Sequence, residues 1–253
     1  MNELDQQSSN LLQHLLQATD EVMARLTKMS APCSEAYAKT AYLAFLVRMS
    51  RIFESYVILL HHGYGTEAAL LVRPFLETFV DWLYIETDPE TIGERYVLYE
   101  AAARIQFLRD SGQKDKAARL VSEHGDHVLT FCRKYGKKRL PREWCDERIR
   151  HRASKGRFCG LDRVYPGLCD LLHNSPVTLP NYLSIDEDGT LWLRNEPNTA
   201  GHERTIGLIC GALGVCLGKA NDHFSLNCEQ ELEASSVRWQ EYTQQIAREN
   251  AAA

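Results

Sequence analysis

A long apolar segment, residues 63–86, constrains the fold more than any other feature of this 253-residue chain. The segment reads GYGTEAALLVRPFLETFVDWLYIE and is interrupted by charged residues at positions 73, 77 and 81. A spacing of four residues places these charges in one narrow stripe of an α-helix, with apolar side chains around the rest of its surface. The stripe is therefore either a thin solvent-facing strip or a polar seam inside a helical bundle.

The segment before it predicts a partner helix. Residues 35–62 are strongly apolar, except for a stripe that contains Arg48 and Arg51. The short glycine turn that follows makes the two helices antiparallel neighbours. In that register Arg51 lies opposite Glu77 and Arg48 lies opposite Asp81, so we predict an ion pair between the helices at both places. Complementary charges of this kind explain both acids without any chemistry.

Arg73 is the residue of the stripe that this register leaves without an acid opposite. Pro74 beside it removes a backbone hydrogen bond and is expected to kink the helix at the stripe. His173 is a second candidate, because it ends a helix predicted near residues 161–173 and precedes a turn. Arg73, Glu77 and His173 are therefore the predicted catalytic residues. The open alternative is that the same charges form a purely structural network.

The rest of the sequence predicts more helices and one short β-hairpin. Asp188-Gly189 separates two apolar runs, which predicts a small β-hairpin insertion near 182–194. Helical periodicity covers the other regions, near 3–28, 88–111, 114–135, 161–173, 199–226 and 229–249. The predicted fold is all-α, a single helical bundle of about seven to eight helices. One domain over 1–250 is expected, with the alanines at 251–253 left out as an expected cloning remnant.

Charge and cysteine usage exclude several classes of protein. The net charge of −5 gives no global basic field for nucleic acid, so RNA or another phosphate-bearing ligand would need a local patch. Residues 133–157 form such a patch, and a solvated basic linker is the alternative. The eight cysteines include no C-x-x-C pair, and no signal peptide is visible, so a cytoplasmic location with reduced thiols is expected. No apolar run reaches the roughly 20 residues that a bilayer requires, so no membrane association is expected.

Cofactor and metal motifs are also missing from the sequence. A di-iron bundle requires Glu-x-x-His on two helices, and the chain offers only the imperfect substitute Asp170-x-x-His173. Neither a Gly-x-Ser-x-Gly nucleophile motif nor a phosphate-binding glycine loop occurs. We therefore expect no cofactor and no metal site, and a metal-dependent bundle enzyme is a third, weaker hypothesis.

The last two predicted helices carry a pattern for close packing. Glycines recur at positions 207, 211, 214 and 218, which predicts close approach of another helix in the core. The final helix has Leu232, Trp239 and Ile246 seven residues apart. Such a series packs either on the bundle or on a second subunit. We expect a homo-oligomer that forms through this C-terminal helix.

Four short features of the sequence form a pattern: ALLVRPFLE at 69–77, Trp144 before a basic stretch, a Tyr165…Cys169-x-x-x-His173 motif and the Asp188-Gly189 turn. Together they resemble a bacterial helical family that is catalogued as a domain of unknown function. The family has Arg-x-x-x-Glu on its helix and Tyr…Ser-x-x-x-His later, so Cys169 stands where the family has serine. The resemblance spans roughly residues 35–225. It implies a bacterial cytoplasmic protein that shares Arg73, Glu77 and His173, with no established reaction.

Two functional hypotheses of different class remain open. In the first, Arg73 binds a phosphodiester or similar anion, His173 is the general acid or base, and Glu77 orients one of them. Its concrete version is a HEPN-like, toxin- or defence-associated ribonuclease, by analogy of fold alone. In the second hypothesis the same residues staple a non-catalytic binding or assembly module. The HEPN motif Arg-x4–6-His occurs from Arg119 to His124, but chance alone gives about two such hits here.

Overall fold

The computed structural model describes residues 6–28, 37–158, 165–169, 183–185, 188, 190–193 and 203–252. Ten helical segments and two short strands lie within these residues. The helices are α1 (Gln6–Lys28), α2 (Tyr37–His61), α3 (Gly65–Ile85), α4 (Pro89–Asp110), α5 (Lys114–His124), α6 (His127–Lys134), α7 (Ile149–Lys155), α8 (165–169), α9 (Glu203–Phe224) and α10 (Glu229–Ala252). The all-α class is confirmed.

The predicted number of seven to eight helices is wrong, because the predicted helix 114–135 is two helices and the basic region contains another. Gly125 interrupts the predicted helix 114–135, because it has a φ of +86°, a left-handed conformation that glycine adopts at little cost. Asp126 then caps α6, since its carboxylate accepts hydrogen bonds from the backbone N–H groups of Val128 and Leu129. The additional helix is α7, which lies within the basic stretch 133–157.

Two three-residue strands lie within the span where the β-hairpin was expected. Strand β1 (Leu183–Ile185) pairs antiparallel with β2 (Leu191–Leu193), and Ser184 lies opposite Trp192. The remainder of the span 182–194 lies largely outside the described residues. Six strand residues do not change the all-α character of the chain.

The turn between α2 and α3 ends the first helix with a glycine. Gly63 has a φ of +78°, and its N–H donates to the carbonyl of Leu60 while the N–H of Tyr64 donates to that of Leu59. These two bonds form a Schellman motif, which satisfies carbonyl groups at the end of α2. The chain then enters α3 at Gly65, as the short predicted turn requires.

The chain divides into two compact units, and residues 1–31, 44–80 and 158–253 form the first. Within it α1, α9 and α10 pack on one another. The buried face of α2 contacts α9, because the sulfur of Met49 lies 3.9 Å from that of Cys216 and the Tyr56 hydroxyl lies 3.0 Å from Thr205. The single domain predicted over 1–250 remains a prediction.

Residues 32–43 and 81–157 form the second unit. There α4 packs against α5 and α6. Tyr42 stacks on Trp82 with 4.8 Å between the ring centroids, and both rings are buried. Gly93 allows α4 to approach the start of α2, since a Cβ at this position would lie 2.8 Å from the backbone nitrogen of Ala38.

The glycine series of α9 has two different roles. A Cβ at Gly211 would lie 3.0 Å from the indole of Trp239, so this glycine gives α10 room to approach. The Trp239 Nε1 group also donates to the carbonyl of Gly207 at 2.8 Å. A Cβ at Gly214 or Gly218 would meet no packing neighbour within 4 Å among the described residues, so packing in that part of the chain does not require these two glycines. Trp239 of the seven-residue series thus packs on the bundle of its own chain.

None of the described helices is long and apolar enough to cross a membrane.

Candidate functional site

Arg73, Glu77 and Tyr165 form a polar cluster in the first unit, which we call the Glu77 cluster. The Arg73 Nε group donates to Glu77 Oε1 at 2.9 Å, one turn along α3. The Tyr165 hydroxyl, from α8, donates to the same oxygen at 2.6 Å. The Arg73 guanidinium also lies over the Tyr165 ring, with 5.2 Å from its Cζ to the centroid. Glu77 therefore holds the edge of the Arg73 guanidinium, and the Tyr165 ring covers its face.

The ionisation states in this cluster follow from burial and from the shared hydrogen bonds. Burial, and then the bond to Glu77, raises the pKa of the Tyr165 hydroxyl to about 12. Burial would lower the pKa of the Arg73 guanidinium, but the bond to Glu77 and the nearby charges outweigh it, so the pKa lies above its ordinary value. At neutral pH the cluster therefore contains a protonated tyrosine and a charged arginine. Tyr165 donates hydrogen bonds there and does not act as a base.

Asp81, Trp144 and Arg152 form a second cluster of similar chemistry in the second unit, which we call the Asp81 cluster. Arg152 Nη1 lies 2.8 Å from Asp81 Oδ1, and Trp144 Nε1 donates to Asp81 Oδ2 at 3.2 Å. The Arg152 guanidinium lies over the Trp144 ring at 5.7 Å. Only 9% of the Arg152 side chain and 16% of the Asp81 side chain are exposed. This ion pair is thus mostly removed from water.

The predicted ion pair between Arg51 and Glu77 is wrong, because Glu77 pairs with Arg73. Asp81 pairs with Arg152 inside the second unit, and the predicted pair of Arg48 with Asp81 remains a prediction. Arg48 and Arg51 are both exposed. The physical reason is the rotation of α2 about its axis, because its apolar face turns toward α9 and its arginine stripe then faces water. The polar seam of α3 exists, but the residues that cover it come from later in the chain.

His173 lies outside the described residues, so its predicted meeting with Arg73 and Glu77 remains a prediction. The structure does bring together Arg73 and Glu77, at the four-residue spacing expected from the sequence. Tyr165 was not among the predicted site residues. Its signal was the recurring tyrosine of the later family motif, four residues before Cys169 and eight before His173. Cys169 is a free, half-buried thiol on the same short helix as Tyr165.

The basic stretch 133–157 is partly neutralised within the second unit. Lys134 pairs with Glu94, Lys137 with Asp146, Lys155 with Glu147 and Arg152 with Asp81. Exposed cations without a recorded ion pair in the described part of this stretch are Arg133, Lys138, Arg139, Arg142 and Arg148. The stretch therefore combines cations that hold the fold together with cations that face solvent.

Within the described residues, no group of three or more histidine, cysteine, aspartate or glutamate side chains is placed to hold a metal ion. Asp170 and His173, the imperfect metal motif of the sequence, lie outside those residues.

Comparison with known proteins gives one result. No curated protein and no solved structure matches the chain. Residues 39–190, more than half of the chain, match a family of unknown function, DUF5677. The match includes the helix with the Arg-x-x-x-Glu motif and Tyr165, so the resemblance to a helical family of unknown function is confirmed over a shorter range. The chain belongs to the DUF5677 family.

Proposed function

We propose that the Glu77 cluster binds a phosphate-bearing anion, and that the narrower activity is cleavage of an RNA phosphodiester. In this proposal Arg73 holds the anion, Glu77 orients the guanidinium, and His173 is the general acid or base. A HEPN-like, toxin- or defence-associated ribonuclease of a bacterial cytoplasm is the most specific form. That form rests on an analogy of fold and on no shared motif.

The observation that carries the proposal is the fixed orientation of a partly exposed guanidinium. Glu77 holds Arg73 at Nε, Tyr165 supports its face, and 20% of the arginine side chain remains exposed. A guanidinium recognises phosphate through planar, bidentate hydrogen bonds, and a fixed guanidinium loses less entropy on binding. Glu77 reduces the net charge of the cluster, so we expect modest affinity for a free anion and stronger affinity for a ligand with further contacts.

Proton transfer in this proposal falls to His173. Tyr165, with a pKa of about 12, holds its proton at neutral pH. An unperturbed histidine titrates near neutral pH and is the usual side chain for general acid–base catalysis. The family serine is replaced by Cys169, so no hydroxyl of that serine takes part in the proposed reaction.

A non-catalytic helical module is the alternative, and it too has a specific observation in its favour. Glu77 Oε1 accepts from Arg73 and from Tyr165, which ties α8 to α3. A carboxylate that is satisfied in this way needs no ligand to explain it. Under this alternative the Glu77 cluster is a staple, and the protein acts through binding or assembly. A metal-dependent enzyme has no supporting observation among the described residues.

The proposed partners are RNA, through the 133–157 stretch, and a second copy of the chain, through α10. Val237 of α10 is 47% exposed, which leaves an apolar side chain on the outer face of that helix. Sedimentation velocity of wild type and Val237→Glu tests self-association. Loss of a dimer in the variant supports the α10 interface, and a monomeric wild type contradicts it.

Cleavage of a labelled RNA mixture by the purified protein tests the catalytic proposal. Arg73→Lys and His173→Ala are the test variants, because lysine cannot reproduce a planar fork and alanine removes the proton carrier. We expect about 10- to 100-fold slower cleavage for the lysine variant and about 100-fold or more for the alanine variant.

Arg119→Lys is the matched control. Arg119 pairs with Glu123 at the same four-residue spacing and at 2.8 Å, but 80% of its side chain is exposed. This variant should cleave at the wild-type rate. Unchanged cleavage by the His173→Ala variant would overturn the catalytic proposal. An absence of cleavage and of phosphate binding in the wild type, with lower stability of the Arg73 variant, would support the staple instead.

A further inference from the structure

A cleft in the second unit has features of a nucleic-acid subsite. Its volume is about 540 Å³, and its lining residues are Gln106, Asp110, Arg139, Leu140, Pro141 and Arg142. Small-molecule sites have volumes of roughly 300–1,000 Å³, so one nucleotide is of a suitable size. Arg139 and Arg142 are exposed and make no recorded ion pair within the described residues. Two cations are thus available at one concave surface.

The charge of the surrounding segment is strongly uneven. Residues 133–157 contain 11 Lys and Arg but only 3 Asp and Glu, a net charge of +8. Since the whole chain carries −5, the remainder carries −13. An asymmetry of this size indicates a polyanionic partner at the basic segment. The internal ion pairs of Lys134, Lys137, Arg152 and Lys155 then separate the structural cations from those that can meet a ligand.

The loop that carries the two arginines is fixed to α4. The Tyr99 hydroxyl donates to the carbonyl oxygens of Pro141 and Arg142, at 3.1 and 2.6 Å. Arg95 donates through Nε to the carbonyl of Trp144 at 3.0 Å. Because these contacts order the backbone in advance, little loop entropy is lost on binding.

An exposed aromatic residue, Phe107, lies on α4 between two lining residues of the cleft, Gln106 and Asp110. Phe107 is 67% exposed, the highest exposure among the large hydrophobic side chains of the described residues. It precedes Asp110 by three positions on α4, so the two side chains are neighbours on the helix surface. Exposed rings beside basic grooves stack the bases of single strands, whereas phosphates pair with the cations. A lipid headgroup would use the cations but leave the ring unexplained.

We infer that this cleft binds single-stranded nucleic acid, with Arg139 and Arg142 on phosphates and Phe107 stacked on a base. Gln106 and Asp110 are the other polar side chains of the cleft, and the Gln106 amide donates to Asp110 at 2.8 Å. Asp110 opposes a polyanion and limits its affinity. The inference rests on the proposed function only for the choice of RNA, because binding here requires no chemistry at Arg73.

Fluorescence anisotropy with labelled 12-nucleotide RNA and DNA strands tests the inference. Arg139→Gln/Arg142→Gln should weaken binding about 10- to 100-fold at low salt and reduce the slope of log K against log salt by about 1.4, since each phosphate contact contributes about 0.7. Phe107→Leu should weaken binding at least about fivefold. Asp110→Asn should strengthen it about two- to fivefold.

Lys134→Gln/Lys155→Gln is the matched control, because it removes two charges from the same segment that are already paired. It should weaken binding less than about threefold. Circular dichroism checks that every variant is folded. Equal losses of affinity in the control and in Arg139→Gln/Arg142→Gln would overturn the inference that this cleft binds the strands. So would an unchanged affinity in Phe107→Leu, or binding to anionic lipid vesicles that exceeds binding to the strands.

Arg73→Gln separates this inference from the proposed function. We expect the Arg73→Gln variant to lose cleavage but, since it removes a single phosphate contact, to weaken strand binding less than Arg139→Gln/Arg142→Gln does. If every variant cleaves at the wild-type rate while Arg139→Gln/Arg142→Gln binds the strands more weakly, the proposed reaction is overturned and the cleft is supported. Cleavage that depends on Arg73, together with wild-type binding in Arg139→Gln/Arg142→Gln, would overturn the cleft alone.

Discussion

The Glu77 cluster and the Asp81 cluster each combine a carboxylate of α3 with a guanidinium and an aromatic hydrogen-bond donor. In each, a carboxylate of α3 forms an ion pair with a guanidinium and accepts a hydrogen bond from an aromatic side chain, Tyr165 in one and Trp144 in the other. In each, the guanidinium also lies over the aromatic ring. They differ in burial, because the exposed fractions are 20% and 36% for Arg73 and Glu77 but 9% and 16% for Arg152 and Asp81.

This difference in burial suggests a division of roles. A buried ion pair must keep both partners, because a single charge left in a low-dielectric interior is very costly. The Asp81 cluster is therefore suited to holding α3, the Trp144 loop and α7 together. A partly exposed pair contributes little to stability and can exchange a partner for water or a ligand. The Glu77 cluster is thus the better candidate for function, and the predictions below test that contrast.

The largest expected effect is in the Asp81 cluster. Arg152→Met removes the cation that pairs with the largely buried Asp81 carboxylate, so we expect the free energy of unfolding to fall by about 3–5 kcal/mol. Arg73→Met should lower it by less than about 1 kcal/mol, because the second pair is partly exposed. Urea unfolding measures both. A double variant with Asp81→Leu and Arg152→Met should regain most of the loss, and equal losses for the two arginine variants would break the contrast.

The next effect concerns how α7 brings Arg152 to Asp81. A Cβ at Gly156 would lie 2.7 Å from the Cβ of Leu83, so α7 approaches α3 closely at its end. Gly156→Ala should therefore lower the free energy of unfolding by about 1–3 kcal/mol through overpacking. Gly214→Ala is the control, since a Cβ added there would meet no packing neighbour within 4 Å in the part of the chain that the structure describes, and it should stabilise α9 by up to about 1 kcal/mol. Thermal unfolding of the two variants should shift in opposite directions.

A smaller effect is expected from the tyrosine of the Glu77 cluster. Tyr165→Phe removes one hydrogen bond to Glu77 and should cost about 1 kcal/mol near neutral pH. The raised pKa of Tyr165, about 12, also makes this difference depend on pH. The folded state holds the proton more tightly than the unfolded state, so the stabilisation is complete below about pH 10 and is lost between about 10 and 12.

Urea unfolding of wild type and Tyr165→Phe from pH 8 to 12 measures this dependence. The stability advantage of the wild type should shrink as the pH rises through that window. An advantage that stays constant up to pH 12 would show that Tyr165 does not donate to Glu77 in the folded protein.

The smallest effect compares two Arg–Glu pairs with the same spacing. Arg119→Gln removes a pair on α5 that is largely exposed and should change the free energy of unfolding by less than about 0.5 kcal/mol. Arg73→Gln should cost somewhat more, up to about 1 kcal/mol, because it also loses the contact with the Tyr165 ring. A double-mutant cycle with Tyr165→Leu isolates that contact. A coupling energy of zero would show that the Tyr165 ring adds nothing to the Arg73–Glu77 pair, which would then be equivalent to the Arg119–Glu123 pair.

Much of the helical fold could be predicted, because it depends on local pattern. The apolar period of 63–86, the glycine turn before it, and the Asp88 cap followed by Pro89 at the start of α4 each act over a few residues. The division of 114–135 was missed for a local reason, since Gly125 and Asp126 form a helix end and a cap inside an otherwise helical pattern. The apolar period continues across this helix end and cap. A prediction from the period alone therefore places one helix where two form.

The partners of the α3 stripe could not be predicted in the same way. Four-residue spacing placed Arg73 beside Glu77, and the structure has that pair. The register with α2 nevertheless gave the wrong partner for Glu77, because it set the positions along the helices but not the rotation of α2 about its axis. Met49 and Tyr56 turn toward α9, and this leaves the arginines of α2 in water.

The amino-acid pattern thus determined that α3 is an apolar helix with a polar seam, and that Arg73 and Glu77 share it. Tertiary packing determined which groups cover that seam, since Tyr165 lies 88 positions beyond Glu77 and Arg152 lies 71 beyond Asp81. It also determined that one carboxylate is buried and the other remains partly open to water. The physical reason is the distance along the chain over which each effect acts. Periodicity and capping act within a few residues, whereas the desolvation of a side chain depends on every element that packs around it.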